Sequence, residues 1–437
     1  MNASAPYREF LAAKQRRASA CGTPVDVGAV HPLLHGWQAR IVTWAVRAGR
    51  AAVWADTGLG KTLMQLEWAR LSGERTLVVA PLAVCEQTCT EAQRIGITAR
   101  YVREAADAAG PGVWVTNYEI CSRFNPSGLD ALVLDESSIL KDVTAKTRDR
   151  LITQFAGVPR RLACTATPAP NDVAELANHA EFLGAATRRE MLATYFTHDA
   201  DGWRVKGHAR GPMLAWMATW ALAVRRPSDL GWPDDGYDLP PLRVIPHVLR
   251  DTVPEPPEGQ LFATDLGGVT GRARVRAATV EARCARAAEL AAAEPGEPWV
   301  LWCGLNAEAG TLARMVPGAV NLHGGLTPEA KADILRAFAA GRIRVLVTKP
   351  SIAGFGLNWQ HCARMAFVGL SDSYEAYYQA IRRCHRYGQA RPVHAHVIVS
   401  GLEAQIAANV ARKEQQASQL TDALVTQMRT AARDAAA

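Results

Sequence analysis

The sequence predicts an α/β protein: two parallel-sheet lobes joined by a linker, with a helical insert and a C-terminal helix. Three observations carry this. Short apolar runs alternate with helical stretches from about residue 51 to 171, the pattern of strands and crossover helices in a parallel sheet. The alternation then stops, and helical patterning ends in SDLGWPDDGYDLPP, a stretch dense in Pro, Gly and Asp. Past this break it resumes and continues to about residue 400.

The first lobe, 31–171, contains the candidate strands AAVWAD (51–56), TLVVA (76–80), VWVTN (113–117), ALVLD (131–135) and RLACT (161–165). Residues 172–240 form the insert and linker. Within them 172–225 read as helices, with one polar interruption, HDADGWRVKGHARGP, readable as a hairpin or a loop. The second lobe, 241–400, contains WVLWCG (299–304), AVNLH (319–323), IRVLVT (343–348), RMAFV (364–368) and VHAHVIV (393–399). A basic segment (1–30) precedes the lobes, and a helix over 401–437 follows them as a brace or a partner helix.

A chain of 437 residues is about three lengths of a ~150-residue domain, ample for buried cores without covalent staples. Its nine cysteines contain no C-x-x-C pair, which argues against a disulfide framework or a zinc ribbon and for a reduced, cytoplasmic setting. His361, His385, His394 and His396 lack metal-ligand spacing. Cys85 and Cys89 read as buried thiols, and Trp37, Trp44, Trp54 and Trp68 as core. No apolar run approaches the ~20 residues of a membrane span, and the N-terminus has no apolar signal region, so no membrane partner is expected. A net charge of +7 permits a nucleic-acid partner. Residues 342–391 carry eight Arg/Lys against two Asp/Glu, nearly the whole of that excess.

VWADTGLGKT runs off a strand into a helix. Gly58 and Gly60 let the backbone turn and aim N–H groups at phosphate oxygens, and the helix adds its positive end. Lys61 would reach the β and γ phosphates, and Thr62 would place its hydroxyl on Mg²⁺. The remaining loop positions, Asp56, Thr57 and Leu59, complete this nucleotide-binding set. The strict pattern G-x-x-x-x-G-K-[ST] asks for Gly at position 55, where this chain has Ala55. Seventy-four residues after Lys61, ALVLDESS ends a strand with two adjacent carboxylates. Asp135 suits the Mg²⁺ shell and Glu136 the attacking water. Acidic residues often end strands without function; the order of the two motifs links this pair to the loop.

With these residues the chain resembles the superfamily-two helicases, specifically the Swi/Snf-like branch of DNA translocases, over about residues 31–400. ADTGLGKT, DESS and TATPAPN (165–171) are similar to the family's DEMGLGKT, DExH and TGTPxxN blocks. LLHGWQARIVTW is similar to the adenine-side motif, which implies that Gln38 reads the base. GFGLNW (354–359) and QAIRRCHRYGQ (379–389) resemble second-lobe blocks, the latter nearly residue for residue. Gly354 and Gly356 leave room for a ribose or a nucleic-acid phosphate, or serve only a tight bend. Arg383 and Arg386, three apart, are expected on one helical face as arginine fingers, with Gln379 beside the nucleotide or the catalytic water.

The resemblance implies two RecA-like lobes, ATP and Mg²⁺ held between them, and hydrolysis coupled to steps along a nucleic-acid backbone. Duplex DNA is the expected partner. Thr165 and Thr167 would couple the nucleotide state to that grip. Pro81, Thr116, Asn117, His323 and Gly324 fall on the segments that touch nucleic acid in the family. Three departures stand out: TATP for TGTP, SIAGFG for a paired-glycine block, and Ser137–Ser138 for Ala-His. Trp203, Lys206, His208 and Arg210 of the insert either part or grip strands, or simply pack. A compact motor such as a phage or prophage carries is the expectation. Two rival readings remain: an RNA or single-stranded DNA helicase, and an ATP-gated DNA clamp with slow turnover.

Overall fold

A computed structural model describes residues 18–142, 144–199, 202–249, 278–353, 358–370, 373–400 and 404–434. The chain divides into two compact units: residues up to Asp234 together with those from Gln416 onward, and Asp235–Gln415. The division falls inside SDLGWPDDGYDLPP.

The first unit is built on β1 (Arg50–Ala55), β2 (Arg75–Ala80), β3 (Ala99–Tyr101), β4 (Gly112–Asn117), β5 (Ala131–Asp135), β6 (Arg160–Cys164), a hairpin of β7 (Phe196–Asp199) and β8 (Gly202–Val205), and β9 (Ala221–Val224). Outside the hairpin these strands form one parallel sheet in the order β3-β4-β2-β5-β6-β1-β9. Its central strands read as unbroken apolar runs because helices cover both faces. The polar interruption of the insert is the β7–β8 hairpin, closed by the Phe196↔Val205 and Asp199↔Gly202 pairs.

One strand corrects the helical reading of 172–225. Ala221–Val224 is β9, at the sheet edge beside β1, with Ala52↔Ala221 and Ala55↔Val224 in register. The run WALAV continues the apolar texture of the Arg210–Met217 helix, so local pattern alone assigned it to that helix. Packing decides otherwise. Trp220 is fully buried, edge-on to Trp54 at 5.8 Å and to Trp216 at 5.4 Å, and its carbonyl accepts from Ala52 N at 2.8 Å. Leu420, Leu424 and Val425, from the C-terminal half of the Ala404–Asp434 helix, join the same core.

The second unit holds β10 (Leu242–Leu249), β11 (Trp299–Trp302), β12 (Ala319–Leu322), β13 (Val345–Thr348), β14 (Arg364–Phe367) and β15 (Val393–Ser400). They form a second parallel sheet, ordered β10-β15-β14-β11-β13-β12. Strand β10 was not among the predicted runs. It carries Pro246, which a ladder tolerates because β10 lies at the edge. Both sheets, with their flanking helices, are consistent with two RecA-like lobes. Among the described residues no helix is long and apolar enough to cross a membrane.

Two histidines bridge β10 and β15. His247 Nε2 and His396 Nδ1 lie 2.9 Å apart, and the His396 ring tilts against Trp299 at 5.6 Å. Burial, followed by the nearby His247, His394, Arg364 and Arg286, holds the His396 imidazole down at about 4. The folded state therefore keeps this ring neutral while an unfolded chain takes up a proton below about 6.5. Stability of the second unit is expected to be intact above pH 6.5 and to fall as pH drops toward 4. Denaturation of wild type and His396→Gln across that range checks this, since the variant should lose part of the slope.

Candidate active site

The phosphate-loop motif leaves the C-terminal end of β1. Gly58 and Gly60 take φ of 87° and 74°, the left-handed region, and Gly60 caps the helix Lys61–Ser72. A Cβ at Gly60 would stand 2.5 Å from Gln38 Nε2, so glycine there serves both the turn and the approach. Ala55, the departure from the strict pattern, is the last residue of a buried strand and lies outside the left-handed positions, so it needs no glycine. Its carbonyl accepts from Lys61 Nζ at 2.8 Å, and that of Asp56 does so at 3.3 Å. No side chain caps the helix, which leaves its first N–H groups open to an anion.

Gln38 closes over this loop. Its Nε2 donates to the Leu59 carbonyl at 2.9 Å, and its Oε1 accepts from His35 N at 2.8 Å. Trp37 stacks on His35 at 6.2 Å and is buried. Thr57 N donates to Asp56 Oδ1 at 2.6 Å, which tightens the turn before the glycines. Gln38 thus meets Leu59 and Gly60, and Lys61 folds back on Ala55 and Asp56.

Asp135 and Glu136 end β5 two strands from β1. Burial, then the charge of Glu136, pushes the Asp135 carboxyl up to about 7, while Lys61 and the Gln65 amide pull it down. A carboxylate so desolvated is poised to gain from a cation. Glu136 has φ 56° and ψ 56°, the only positive φ outside glycine among the described residues. Such strain is kept where surrounding structure over-determines it. Here Thr165 Oγ1 donates to Glu136 Oε2 at 3.2 Å and accepts from Thr167 N at 3.1 Å.

Two residues absent from the motif analysis hold this turn. The hydroxyl of Tyr118 donates to the Asp135 carbonyl at 2.6 Å; burial, with both carboxylates adding to it, keeps that phenol protonated. Ser137 Oγ lies 3.1 Å from His179 Nε2, and burial holds the His179 ring neutral, down at about 4. No local signal points to either, because they stand 17 and 42 residues from their partners.

In the second unit, Gln379 lies on the helix Tyr374–Ile381, with its Nε2 donating to Glu375 Oε1 at 3.3 Å. Arg383 and Arg386 do not share a helical face. The helix ends at Ile381, and both arginines lie in a run of turns closed by Gly388 at φ 88°. The turns are fixed from outside the block. His385 Nε2 donates to the Pro240 carbonyl at 2.8 Å, and Gln389 Nε2 to the carbonyls of Cys362 and Cys384, each at 3.1 Å. Trp359 N donates to the Arg383 carbonyl at 2.9 Å. Much of QAIRRCHRYGQ is therefore a scaffold of turns, within which Arg383 is buried and Arg386 half-buried. Gly354 and Gly356 lie outside the described residues.

The residues nominated for nucleic acid differ in access. Pro81 is half-buried at the end of β2, and His323 and Gly324 are exposed after β12. Thr116 and Asn117 are buried, and Asn117 Nδ2 donates to the Tyr101 hydroxyl at 2.8 Å. Among the described residues no group of three or more His, Cys, Asp or Glu could hold a metal ion by itself.

Residues 305–388 match the helicase conserved C-terminal domain. A stretch of 77 residues is 34% identical to the ATP-dependent DNA helicase Q4 of Homo sapiens, covering 18% of this chain and 6% of that protein. Among solved structures, the Sulfolobus solfataricus SWI2/SNF2 ATPase core in complex with dsDNA is similar at a TM-score of 0.44 and 18% identity, over 93% of this chain and 96% of that one. The matched domain spans β12 to β14 and the arginine-bearing turns, downstream of the phosphate loop as the motif order requires. The family likeness is therefore to the helicase conserved C-terminal domain, over residues 305–388.

Proposed function

We propose that this chain is an ATP-dependent translocase of the Swi/Snf-like type that steps along a nucleic-acid backbone, with duplex DNA as its track. The observation that carries the reading is the uncapped helix N-terminus at Lys61, closed over by Gln38 and electrostatically linked to the buried Asp135. Backbone N–H groups of 58–62 and the Lys61 ammonium would bind the β and γ phosphates. Gln38 would orient the base. Thr62 and Asp135 would hold Mg²⁺, which when bound neutralises charge on phosphate oxygens. Glu136, held by Thr165, would orient the attacking water and accept its proton. Arg383 and Arg386 of the second unit would stabilise charge on the transferred phosphoryl, so turnover would need both units.

QAIRRCHRYGQ supports the Swi/Snf-like branch, and the net positive charge supports a polyanionic track. The exposed His323–Gly324 loop and the half-buried Pro81 would contact phosphates, with Thr116 and Asn117 shaping the strand end beside Pro81. Such contacts give affinity with little sequence reading. Steady-state ATP hydrolysis with no nucleic acid, duplex DNA, single-stranded DNA and RNA tests the proposal, with Glu136→Gln as the blank. Stimulation by duplex DNA is the expected result. Stimulation by single strands or RNA alone would replace translocation on duplex by strand separation. No stimulation, with tight ATP binding, would replace it by a clamp.

A further inference from the structure

The β7–β8 hairpin carries a tryptophan that neither the core nor the nucleotide-side residues use. Trp203 is 37% exposed, whereas Trp54, Trp216 and Trp220 of the same unit lie in the core. Its direct partner across the hairpin is His198, with ring centroids 4.8 Å apart and planes at 67°. Side chains alternate along a strand, so this pair shares a face with Phe196 and Val205, which pack into the core. Trp203 therefore overhangs the body of the unit instead of pointing away from it. Lys206 fastens that overhang, since its Nζ donates to the carbonyls of Ala193 and Thr194 at 2.8 and 3.2 Å. Of the four insert residues singled out in the sequence, Lys206 is thus spent on packing. His208 and Arg210 are exposed but do not line the space under Trp203.

That space is a cleft of about 490 Å³, walled by Arg148, Glu181, Arg188, Arg189, Leu192 and Ala193. Its volume is in the range that holds a small ring system with its substituents. Arg148 is neutralised: Nη1 donates to Asp149 Oδ1 at 2.6 Å, and Nη2 to Glu181 Oε2. The other two arginines pair with no carboxylate. Arg188 Nη1 is held by the Ala174 carbonyl at 3.0 Å. Arg189 is exposed, and among the described residues its side chain makes no ion pair or hydrogen bond. An indole face over Leu192 and Ala193 suits a flat apolar ring, and unpaired guanidiniums at the rim suit phosphates. A nucleotide carries both parts. In an intact duplex each base face is covered by its neighbours, so the indole can be met only by an unpaired base.

We propose that this cleft binds an unpaired nucleotide of a nucleic-acid strand, its base stacked on Trp203 and its flanking phosphates met by Arg188 and Arg189. This rests on the nucleic-acid partner proposed above and requires neither ATP nor the phosphate loop.

Binding of a fluorescein-labelled oligothymidylate to the full chain, without nucleotide, is followed by anisotropy at several salt concentrations. Trp203→Ala is expected to weaken binding about tenfold, the scale of losing one base–aromatic stack. Trp203→Phe should keep most of the affinity, because a second aromatic ring offers the same platform. Arg189→Gln should weaken binding and lower the salt slope by about 0.7, the share of one single-strand phosphate. A blunt duplex should bind Trp203→Ala as it binds the wild type. Equal single-strand affinity in wild type, Trp203→Ala and Arg189→Gln would overturn the cleft and leave the translocase reading standing. A Trp203→Phe chain as weak as Trp203→Ala, or an equal loss of duplex binding, would also overturn it. Should Trp203→Ala fail to fold, Arg189→Gln carries the test alone, since it breaks no ion pair or hydrogen bond. Single-strand binding that depends on Trp203, in a chain whose ATP hydrolysis no nucleic acid stimulates, would keep the cleft and remove the translocase.

Discussion

Lys61→Ala is expected to lower ATP turnover by at least ~10²–10³-fold, the scale on which removing a charged group aimed at a transferring phosphoryl acts. Three effects add. The ammonium that would meet the β and γ phosphates is gone. The Ala55 and Asp56 carbonyls lose the donor that fixes the mouth of the loop. Asp135, already pushed up to about 7 by burial, loses the cation that lowers it and would grip Mg²⁺ less well at neutral pH. Nucleotide binding and hydrolysis measured together decide the matter. Both should fall in Lys61→Ala, while Arg386→Ala should lose turnover and keep most of the binding. Normal turnover in either variant would remove that residue from the site.

Glu308→Ala should destabilise the second unit by about 3–5 kcal/mol, the usual cost of leaving one partner of a buried ion pair alone. Arg283 and Glu308 are both fully buried, with Nη1 to Oε1 at 2.7 Å. Arg283 also donates to Thr279 Oγ1 at 3.0 Å and to the Val368 carbonyl. Glu308 Oε2 accepts from Gly304 N at 2.7 Å and Leu305 N at 2.9 Å, which caps the Asn306–Met315 helix. The pair thus ties the Val280–Ala293 helix to the ends of β11 and β14. Glycine at 369 is part of the arrangement, since a Cβ there would lie 2.6 Å from Glu308 Oε2. Chemical denaturation should show one transition moved and the other unchanged, because the two units have separate cores. Arg283→Met should cost less, as the carboxylate keeps its two backbone donors. Equal midpoints for wild type and Glu308→Ala would show that the pair contributes nothing.

All ten runs read as strands are strands, because each carries its own signal, an apolar run bounded by turns, and most of them are buried on both faces. The strands that escaped notice lack it. β3 has three residues, β10 contains a proline, and β9 merges with the apolar helix before it. The candidate site divides in the same way. Loop glycines and adjacent carboxylates are legible because their chemistry depends on neighbours in the chain. The expected helical face for Arg383 and Arg386 fails because Pro240, Trp359 and Cys362 hold that segment in turns.

By itself, the sequence determined the two-lobe α/β architecture, the glycine turn between β1 and the Lys61–Ser72 helix, and the order of the motifs. These follow from periodicity and from residue types a few positions apart, which any chain segment carries with it. Tertiary structure alone decided the rest: that β9 completes the first sheet, that Tyr118 and His179 fasten the turn behind Asp135 and Glu136, and that Trp203 shares a cleft with Arg148. Each joins residues from 17 to more than a hundred positions apart, and only strand register and core packing set which of them touch.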